Sequence, residues 1–188
     1  MVAAFALLVA ALFGAADQYL GSFSMHPWMA DVSLLSAPWL VLAFLAGCTQ
    51  REPKRAALLG IGCTYAALIG YGLMTLSPVE NAHLSTTTIG AFVRSEGSVF
   101  IGGVVSGPLF AWFGHRWRVR RAWRGAAVTA AALCFEPLVR IPTGNGIRSS
   151  SVLLAEVAVG IAMLTYVATR MLMPLGIDQD RDNSATRS

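Results

Sequence analysis

Residues Ala56–Leu76 read AALLGIGCTYAALIGYGLMTL, a run of 21 residues without a charged side chain. A helix needs about 20 mostly apolar residues to cross the hydrocarbon core of a bilayer, and this run meets that length. Five further stretches have the same character, and they lie at about Met1–Leu20, Val32–Thr49, Ser98–Phe113, Ala122–Ile141 and Ser150–Met171. The sequence therefore predicts an all-α polytopic membrane protein with a six-helix transmembrane bundle.

Short connections and a polar tail account for the rest of the chain. We expect residues 1–175 to form a single six-helix transmembrane domain and residues 176–188 to form a polar cytoplasmic tail. The span that contains Ser98 is expected to begin earlier, around Thr86. The span that ends near Ile141 is the least apolar, because it carries Glu136 and Arg140.

The composition also favours an integral membrane protein. Charged residues make up only 13% of the 188 residues and hydrophobic residues make up 55%, whereas about a quarter of an ordinary soluble domain is charged. The abundance of apolar residues excludes a disordered chain. We expect the lipid bilayer and no nucleic acid as a partner, because the net charge of +4 reflects how basic residues are distributed across the membrane.

Most of the 14 Lys and Arg residues fall on one side of the predicted bundle. They comprise Arg51, Lys54 and Arg55, the five arginines within residues 116–124, and Arg170, Arg181 and Arg187. Basic loops remain in the cytoplasm, so we predict a multi-pass protein of the cell membrane with both termini cytoplasmic. Trp117 and Trp123 alternate with the arginines of the 116–124 loop, which we interpret as an anchor at the lipid headgroups.

The sequence offers little support for a metal site or a cofactor. Cys48, Cys63 and Cys134 lie inside apolar spans and lack the spacing of a disulfide framework. The three histidines (His26, His83 and His115) are scattered, without a ligand pair at helical spacing. A glycine-rich phosphate loop and a nucleophile elbow are both absent from the sequence. We therefore expect neither a metal nor a cofactor.

Four carboxyl groups are predicted at similar depth in the outer half of the bundle, on four different spans. They belong to Asp17, Glu96, Glu136 and Glu156. An ionisable side chain at this depth normally faces the bundle interior, and burial disfavours its charged form. A neutral carboxylic acid in a dry cavity is a general acid. Asp17 is the first choice for the proton donor, because its own span contains no basic residue, and Glu136 is the second.

Aromatic residues share this outer half and are the expected substrate-binding residues. They are Tyr19, Phe23, Trp28, Trp39, Phe92 and Phe100. One interpretation is the aromatic belt that many membrane proteins carry at the interface. The other is a cavity whose π faces stabilise a developing cation. Arg140 follows Glu136 by four residues on the same helical face, where it either pairs with Glu136 or lines the substrate site.

Several short motifs resemble those of a group of small actinobacterial multi-pass membrane proteins. The motifs are Phe13-Gly14-Ala15, Ala37-Pro38-Trp39-Leu40 with Ala43–Gly47 after it, Gly107-Pro108-Leu109-Phe110, Gly114-His115-Arg116-Trp117-Arg118 and Glu136-Pro137-Leu138. The group includes bacterial membrane-bound indole sesquiterpene cyclases. The resemblance implies an isomerase- or lyase-type enzyme that cyclises a lipophilic substrate of the farnesyl-indole type. Membrane carboxyl groups would then protonate an alkene or an epoxide, without metal or diphosphate.

Two other classes remain alternatives. In a small-solute transporter, or in the substrate-binding membrane subunit of an importer, the outward carboxylates and aromatic rings would bind a solute instead of donating a proton. The chain lacks a clear inverted repeat, which weighs against a stand-alone transporter. In a structural subunit of a larger complex, glycine-rich faces such as that of Gly103 and Gly107 would serve as docking surfaces.

Overall fold

The computed structural model of the protein describes residues 1–23, 26–80, 85–143 and 149–172, except for the side chains of residues 27, 80, 138–143 and 172. Within these ranges the chain is helical and contains no β-strand. The α-helices are α1 (Val2–Gly21), α2 (Pro27–Ser33), α3 (Ala37–Cys48), α4 (Pro53–Thr75), α5 (Thr86–Ser95), α6 (Gly97–Arg120), α7 (Trp123–Thr143) and α8 (Ser150–Leu172). A short 3-10 helix, Pro78–Glu80, follows α4. The predicted all-α class is confirmed.

Four of the described helices are long and apolar enough to cross a membrane, namely α1, α4, α6 and α8. They correspond to the first, third, fourth and sixth predicted spans. Helix α3 is apolar but has only 12 residues, which gives a length of about 18 Å at 1.5 Å per residue. A bilayer core is about 30 Å thick. The protein therefore has the helices of a membrane protein, and a total of six spans stays a prediction.

Two of the predicted spans are interrupted. The stretch Val32–Thr49 was expected to form one helix, but α2 ends at Ser33 and α3 begins at Ala37. Pro38 lies in the first turn of α3. Proline has no backbone N–H group, so it is tolerated in the first turn but breaks a helix when it lies further inside. The stretch from Thr86 to Phe113 is interrupted at Glu96, which ends α5 and precedes α6.

Close backbone contacts join α1, α4, α6 and α3 into one packed group. Gly14 of α1 lies against the carbonyl of Ala67 in α4, with no room for a side chain. A Cβ atom on Gly107 of α6 would lie 3.0 Å from the carbonyl oxygen of Gly60 in α4. Small residues allow such approaches between membrane helices. Helix α7 packs along α8, and both α3 and α6 contact α7, so these two helices connect the packed group to α7 and α8.

Candidate functional site

Asp17 is buried in the last turns of α1, with 8% of its surface exposed. The indole of Trp39, from the first turn of α3, lies close to its carboxyl group. The Trp39 ring is itself held between two aromatic neighbours. Its centroid lies 5.5 Å from that of Phe13 in α1 and 6.4 Å from that of Tyr71 in α4. The interruption between α2 and α3 thus places an indole beside a buried acid.

Asp17 and Glu96 line the same cavity, which we call the acid cavity. It has a volume of about 290 Å³ and is bounded by Asp17, Ser33, Leu34, Leu35, Ser36, Trp39, Leu68, Tyr71, Glu96 and Val99. Glu96 reaches the cavity because α6 begins directly after it. Two carboxyl groups therefore face one small space whose walls include an indole and a phenol ring.

Glu136 stabilises the wall of this cavity. Its Oε1 accepts the backbone N–H of Ser36 at 2.6 Å and its Oε2 accepts that of Ala37 at 2.7 Å. These N–H groups open α3 and have no partner inside the helix, and a carboxylate is favoured at this end by the helix dipole. Glu136 is thus a capping residue contributed by α7. The predicted partner Arg140 has its side chain outside the described part of the chain.

Asp31 performs the same task for α8. Its side chain is 3% exposed, and its Oδ2 accepts the backbone N–H of Ser149 at 2.7 Å, just before α8 begins. Asp31 was not among the carboxyl groups predicted from the sequence to be functional. The run of serines at 149–151 is a typical helix start, but nothing in the sequence indicates that the capping carboxylate comes from residue 31.

Glu156 lies in a different space, the lateral cavity between α2, α3, α7 and α8. Its volume is about 430 Å³, and its lining comprises Trp28, Val32, Leu35, Ala37, Pro38, Leu133, Ser151, Val152, Ala155, Glu156 and Val159. Glu156 is 6% exposed. The lateral and acid cavities share Leu35. The four predicted carboxylates therefore do not share one of the cavities formed by described residues. Asp17 and Glu96 line the acid cavity, Glu156 lines the lateral cavity, and Glu136 lines neither.

A third cavity continues toward the arginine-rich end of the bundle, and we call it the inner cavity. It measures about 460 Å³ and is lined by Val41, Phe44, Leu45, Trp117, Trp123, Ala126, Thr129, Val159, Ala162, Met163, Tyr166 and Val167. Val159 lines both this cavity and the lateral one. Trp117 and Trp123, interpreted from the sequence as interface anchors, pack with their centroids 6.0 Å apart. The described part of the chain thus carries a nearly continuous apolar path beside α3.

The predicted aromatic residues separate into three places. Trp39 lines the acid cavity and Trp28 lines the lateral cavity. Phe92 and Phe100 reach the acid cavity only indirectly, because Phe92 stacks on Tyr71 with a centroid distance of 6.2 Å and Phe100 packs against Phe92 at 6.3 Å.

Tyr19 and Phe23 form an edge-to-face pair with centroids 4.9 Å apart, and neither lines the three cavities described above. Sequence reasoning missed Tyr71. Its position near the end of an apolar span, where tyrosines often mark the interface, was the available signal.

Within the described residues, no group of three or more His, Cys, Asp or Glu side chains is placed to hold a metal ion. Comparisons with protein-family models, with curated proteins and with solved structures found no match for this chain. The chemistry of the three cavities is therefore argued from the chain's own residues.

Proposed function

We propose that this protein is a membrane-bound terpene cyclase that protonates a lipophilic prenylated substrate, of the farnesyl-indole type, in the acid cavity. The observation that carries the proposal is that Asp17 and Glu96 line one small cavity together with the rings of Trp39 and Tyr71. A buried acid, a second carboxyl group and aromatic walls are what a protonation-initiated cyclisation requires.

Asp17 is the proton donor in this proposal. In this proposal the buried Asp17 carries the transferable proton, and Glu96, which lines the same cavity, is the second carboxyl group. Asp17 transfers this proton to one carbon of an alkene, whose π electrons form the new C–H bond, or to an epoxide oxygen, whose C–O bond then breaks. The π electron pair of a second alkene in the same chain attacks the resulting carbocation, which forms the new carbon–carbon bond and moves the positive charge to another carbon. The cationic product then loses a proton to a carboxylate, for which Glu96 is placed. No atom is gained or lost, so the product is an isomer of the substrate.

The aromatic walls support the same proposal. A cation over the face of an indole or phenol ring is stabilised by up to about 2 kcal/mol when the site is dry. Trp39 and Tyr71 both line the acid cavity. Trp39 also lies close to Asp17, so the proton donor is beside a ring that would face the developing charge.

The lateral cavity gives the rest of the substrate a place to bind. The acid cavity alone, at about 290 Å³, is at the lower end of the range for ligand sites, about 300–1,000 Å³. The lateral cavity adds about 430 Å³ on the other side of Leu35. Burial of about 300 Å² of prenyl chain there would contribute on the order of 7 kcal/mol to the free energy of binding, before the entropy lost in ordering the chain is subtracted. We therefore place the reacting end beside Asp17 and the apolar chain beyond Leu35.

A cyclisation assay tests the proposal. Membranes that contain the full chain are incubated with farnesylated indole, and products of unchanged mass are separated by chromatography. Asp17→Asn keeps the size and hydrogen bonding of the side chain but removes the transferable proton, so turnover should fall by about 10²- to 10⁴-fold. Glu96→Gln should also lower turnover. Glu52→Gln is the control, because Glu52 is an exposed residue paired with Arg55.

Binding or transport of a lipophilic solute is the second candidate, and the apolar lining of the lateral cavity favours it. The same membranes distinguish the two functions. If wild-type protein retains radiolabelled substrate without converting it, and retention falls when Val152 or Val159 of the lateral cavity is replaced by a charged residue, the cyclase proposal is wrong. Formation of an isomer that depends on Asp17 excludes pure binding.

A further inference from the structure

A cavity rich in arginine lies at the opposite end of the bundle from Asp17, where α4 begins and α6 ends. We call it the arginine cavity. Its volume is about 290 Å³, and Arg51, Arg116, Arg120, His115 and Trp112 contribute to its lining together with Pro53 and Val119. Three arginines thus line one small space together with a histidine and a tryptophan.

The positive charge of this cavity is not neutralised by the described part of the chain. Glu52 is the nearby carboxylate in the sequence, and its Oε2 lies 3.0 Å from Nε of Arg55, outside the cavity lining. Neither Arg51, Arg116 nor Arg120 has a carboxylate partner among the described residues. Arg118, on the same helix, is engaged elsewhere, because it donates to the carbonyl oxygen of Cys48 at 2.6 Å.

Two contacts hold the cavity walls in position. The guanidinium of Arg116 lies over the Trp112 ring, 4.8 Å from its centroid. His115 is 7% exposed, and its Nδ1 lies 3.1 Å from the carbonyl oxygen of Gln50, the residue before Arg51. A carbonyl oxygen only accepts hydrogen bonds, so the proton is assigned to Nδ1. Stacked and anchored side chains lose less conformational entropy when they bind a ligand.

We infer that the arginine cavity binds the phosphate group of an anionic lipid. Guanidinium groups match phosphate oxygens in geometry and charge, and they form paired, charge-assisted hydrogen bonds with them. The position of the cavity at the end of two membrane-length helices favours a lipid as the source of the phosphate. Both α4 and α6 have membrane length, so the cavity at their shared end lies at the depth of the headgroups. Trp112 and Val119 supply the apolar wall that the glycerol and upper acyl chains of a lipid need.

The inference does not depend on the proposed reaction, because no residue of the arginine cavity lines the acid cavity or the lateral cavity. It goes beyond general attraction of basic loops to anionic lipids. The proposed site is a concave cavity lined by three arginines. Removal of positive charge from these arginines should therefore weaken lipid binding more than removal of the same charge from neighbouring arginines outside the cavity.

Lipid titration of the full chain, purified in detergent and followed by native mass spectrometry, tests this difference. The probes are phosphatidylglycerol, phosphatidylcholine and inorganic phosphate. The test variant is Arg116→Gln with Arg120→Gln, and the matched control is Arg121→Gln with Arg124→Gln. The control removes two positive charges at the same end of the bundle from residues that do not line the cavity. Circular dichroism spectra confirm that both variants are folded.

We expect wild-type protein to bind phosphatidylglycerol in preference to phosphatidylcholine. The test variant should bind it about tenfold more weakly, which corresponds to the loss of charge-assisted hydrogen bonds to phosphate, and the control variant should change by less than about twofold. Equal weakening in both variants, or no preference for the anionic lipid, would overturn the inference. Binding of inorganic phosphate as tight as that of the lipid would identify free phosphate as the ligand.

The acidic tail of the same chain is the competing occupant. Asp178, Asp180 and Asp182 lie outside the described residues, and their carboxylates have the same charge as phosphate. A variant with all three replaced by Asn should leave phosphatidylglycerol binding unchanged if the cavity is a lipid site. An increase of about tenfold or more in lipid affinity would show that the tail occupies the cavity, and the inference would then be wrong.

Discussion

Oε1 of Glu136 lies 2.6 Å from the backbone nitrogen of Ser36, a residue 100 positions earlier in the chain. Ser36 lines the acid cavity, and the next residue, Ala37, which bonds to Oε2, lines the lateral cavity. One carboxylate of α7 thereby fixes the segment that separates the two cavities. The role that the structure supports for Glu136 is to position this wall, and Glu96 is the second carboxyl group in the acid cavity.

The first prediction concerns the stability contributed by this cap. Glu136→Ala leaves two helix N–H groups without their acceptor, so the free energy of unfolding should fall by about 2–4 kcal/mol. Glu136→Gln keeps one acceptor oxygen and should cost less, about 1–2 kcal/mol. Denaturant unfolding in detergent, followed by circular dichroism, measures both values. Wild-type stability in Glu136→Ala together with lost turnover would show that Glu136 acts on the substrate instead.

The second prediction concerns the contact between α4 and α6. A Cβ atom on Gly107 would lie 2.7 Å from Oγ1 of Thr64 and 3.0 Å from the carbonyl oxygen of Gly60, whereas a Cβ atom on Gly102 would meet nothing within 4 Å. Gly107→Ala should therefore destabilise the protein by about 1–3 kcal/mol, because the helices must separate. Gly102→Ala should be neutral or stabilise by up to about 1 kcal/mol.

Thermal unfolding of the two glycine variants, side by side, measures the difference. Equal stability would mean that α4 and α6 do not approach each other at Gly107.

The apolar pattern predicted α1, α4, α7 and α8 to within three residues at each end, because each is a long apolar run. It ended the fourth span too early, since α6 continues beyond Phe113 to Arg120 and includes much of the predicted 116–124 loop. It failed at Val32–Thr49, where the apolar run continues through Ser36 but the backbone does not remain helical. Pro38 lies in the first turn of α3, so a new helix begins around it. Proline at the first turn and proline in mid-helix give the same local sequence signal, so only the tertiary structure distinguishes them.

The site was predictable in part for a similar reason. Membrane depth, which can be read from the distance to the span ends, placed Asp17, Glu96, Glu136 and Glu156 together, and of these only Asp17 and Glu96 line the acid cavity. Partners remote in sequence could not be predicted, because the caps made by Glu136 and Asp31 join residues 100 and 118 positions apart. A carboxylate that caps a helix and one that donates a proton have the same apolar sequence neighbours.

The third prediction concerns Trp39 as a positioning residue for Asp17. Trp39→Phe keeps an aromatic ring in the cavity wall but removes the indole N–H close to Asp17. Turnover (kcat) in the cyclisation assay should fall about tenfold, the loss expected from one hydrogen bond to a charged or ionisable group, with little change in KM. Trp28→Phe is the matched control, because Trp28 lines the lateral cavity and not the acid cavity. This substitution should change KM more than kcat. Equal effects of the two substitutions on kcat would contradict the assignment.

The last prediction concerns Leu35, the residue shared by the acid and lateral cavities. If the prenyl chain extends from Asp17 past Leu35, the size of this side chain must set the chain length that is accepted. Leu35→Ala should raise kcat/KM for a geranylgeranyl indole relative to a farnesyl indole, and Leu35→Trp should reverse the preference toward a geranyl indole.

Leu34→Ala is the control, since Leu34 lines the acid cavity but not the lateral one, and it should leave the ratio of the two kcat/KM values unchanged. Because Leu35 is buried, Leu35→Ala is also expected to cost about 2–5 kcal/mol of stability, so rates are compared per folded molecule. Unchanged chain-length ratios in both Leu35 variants would show that the two cavities do not bind one substrate.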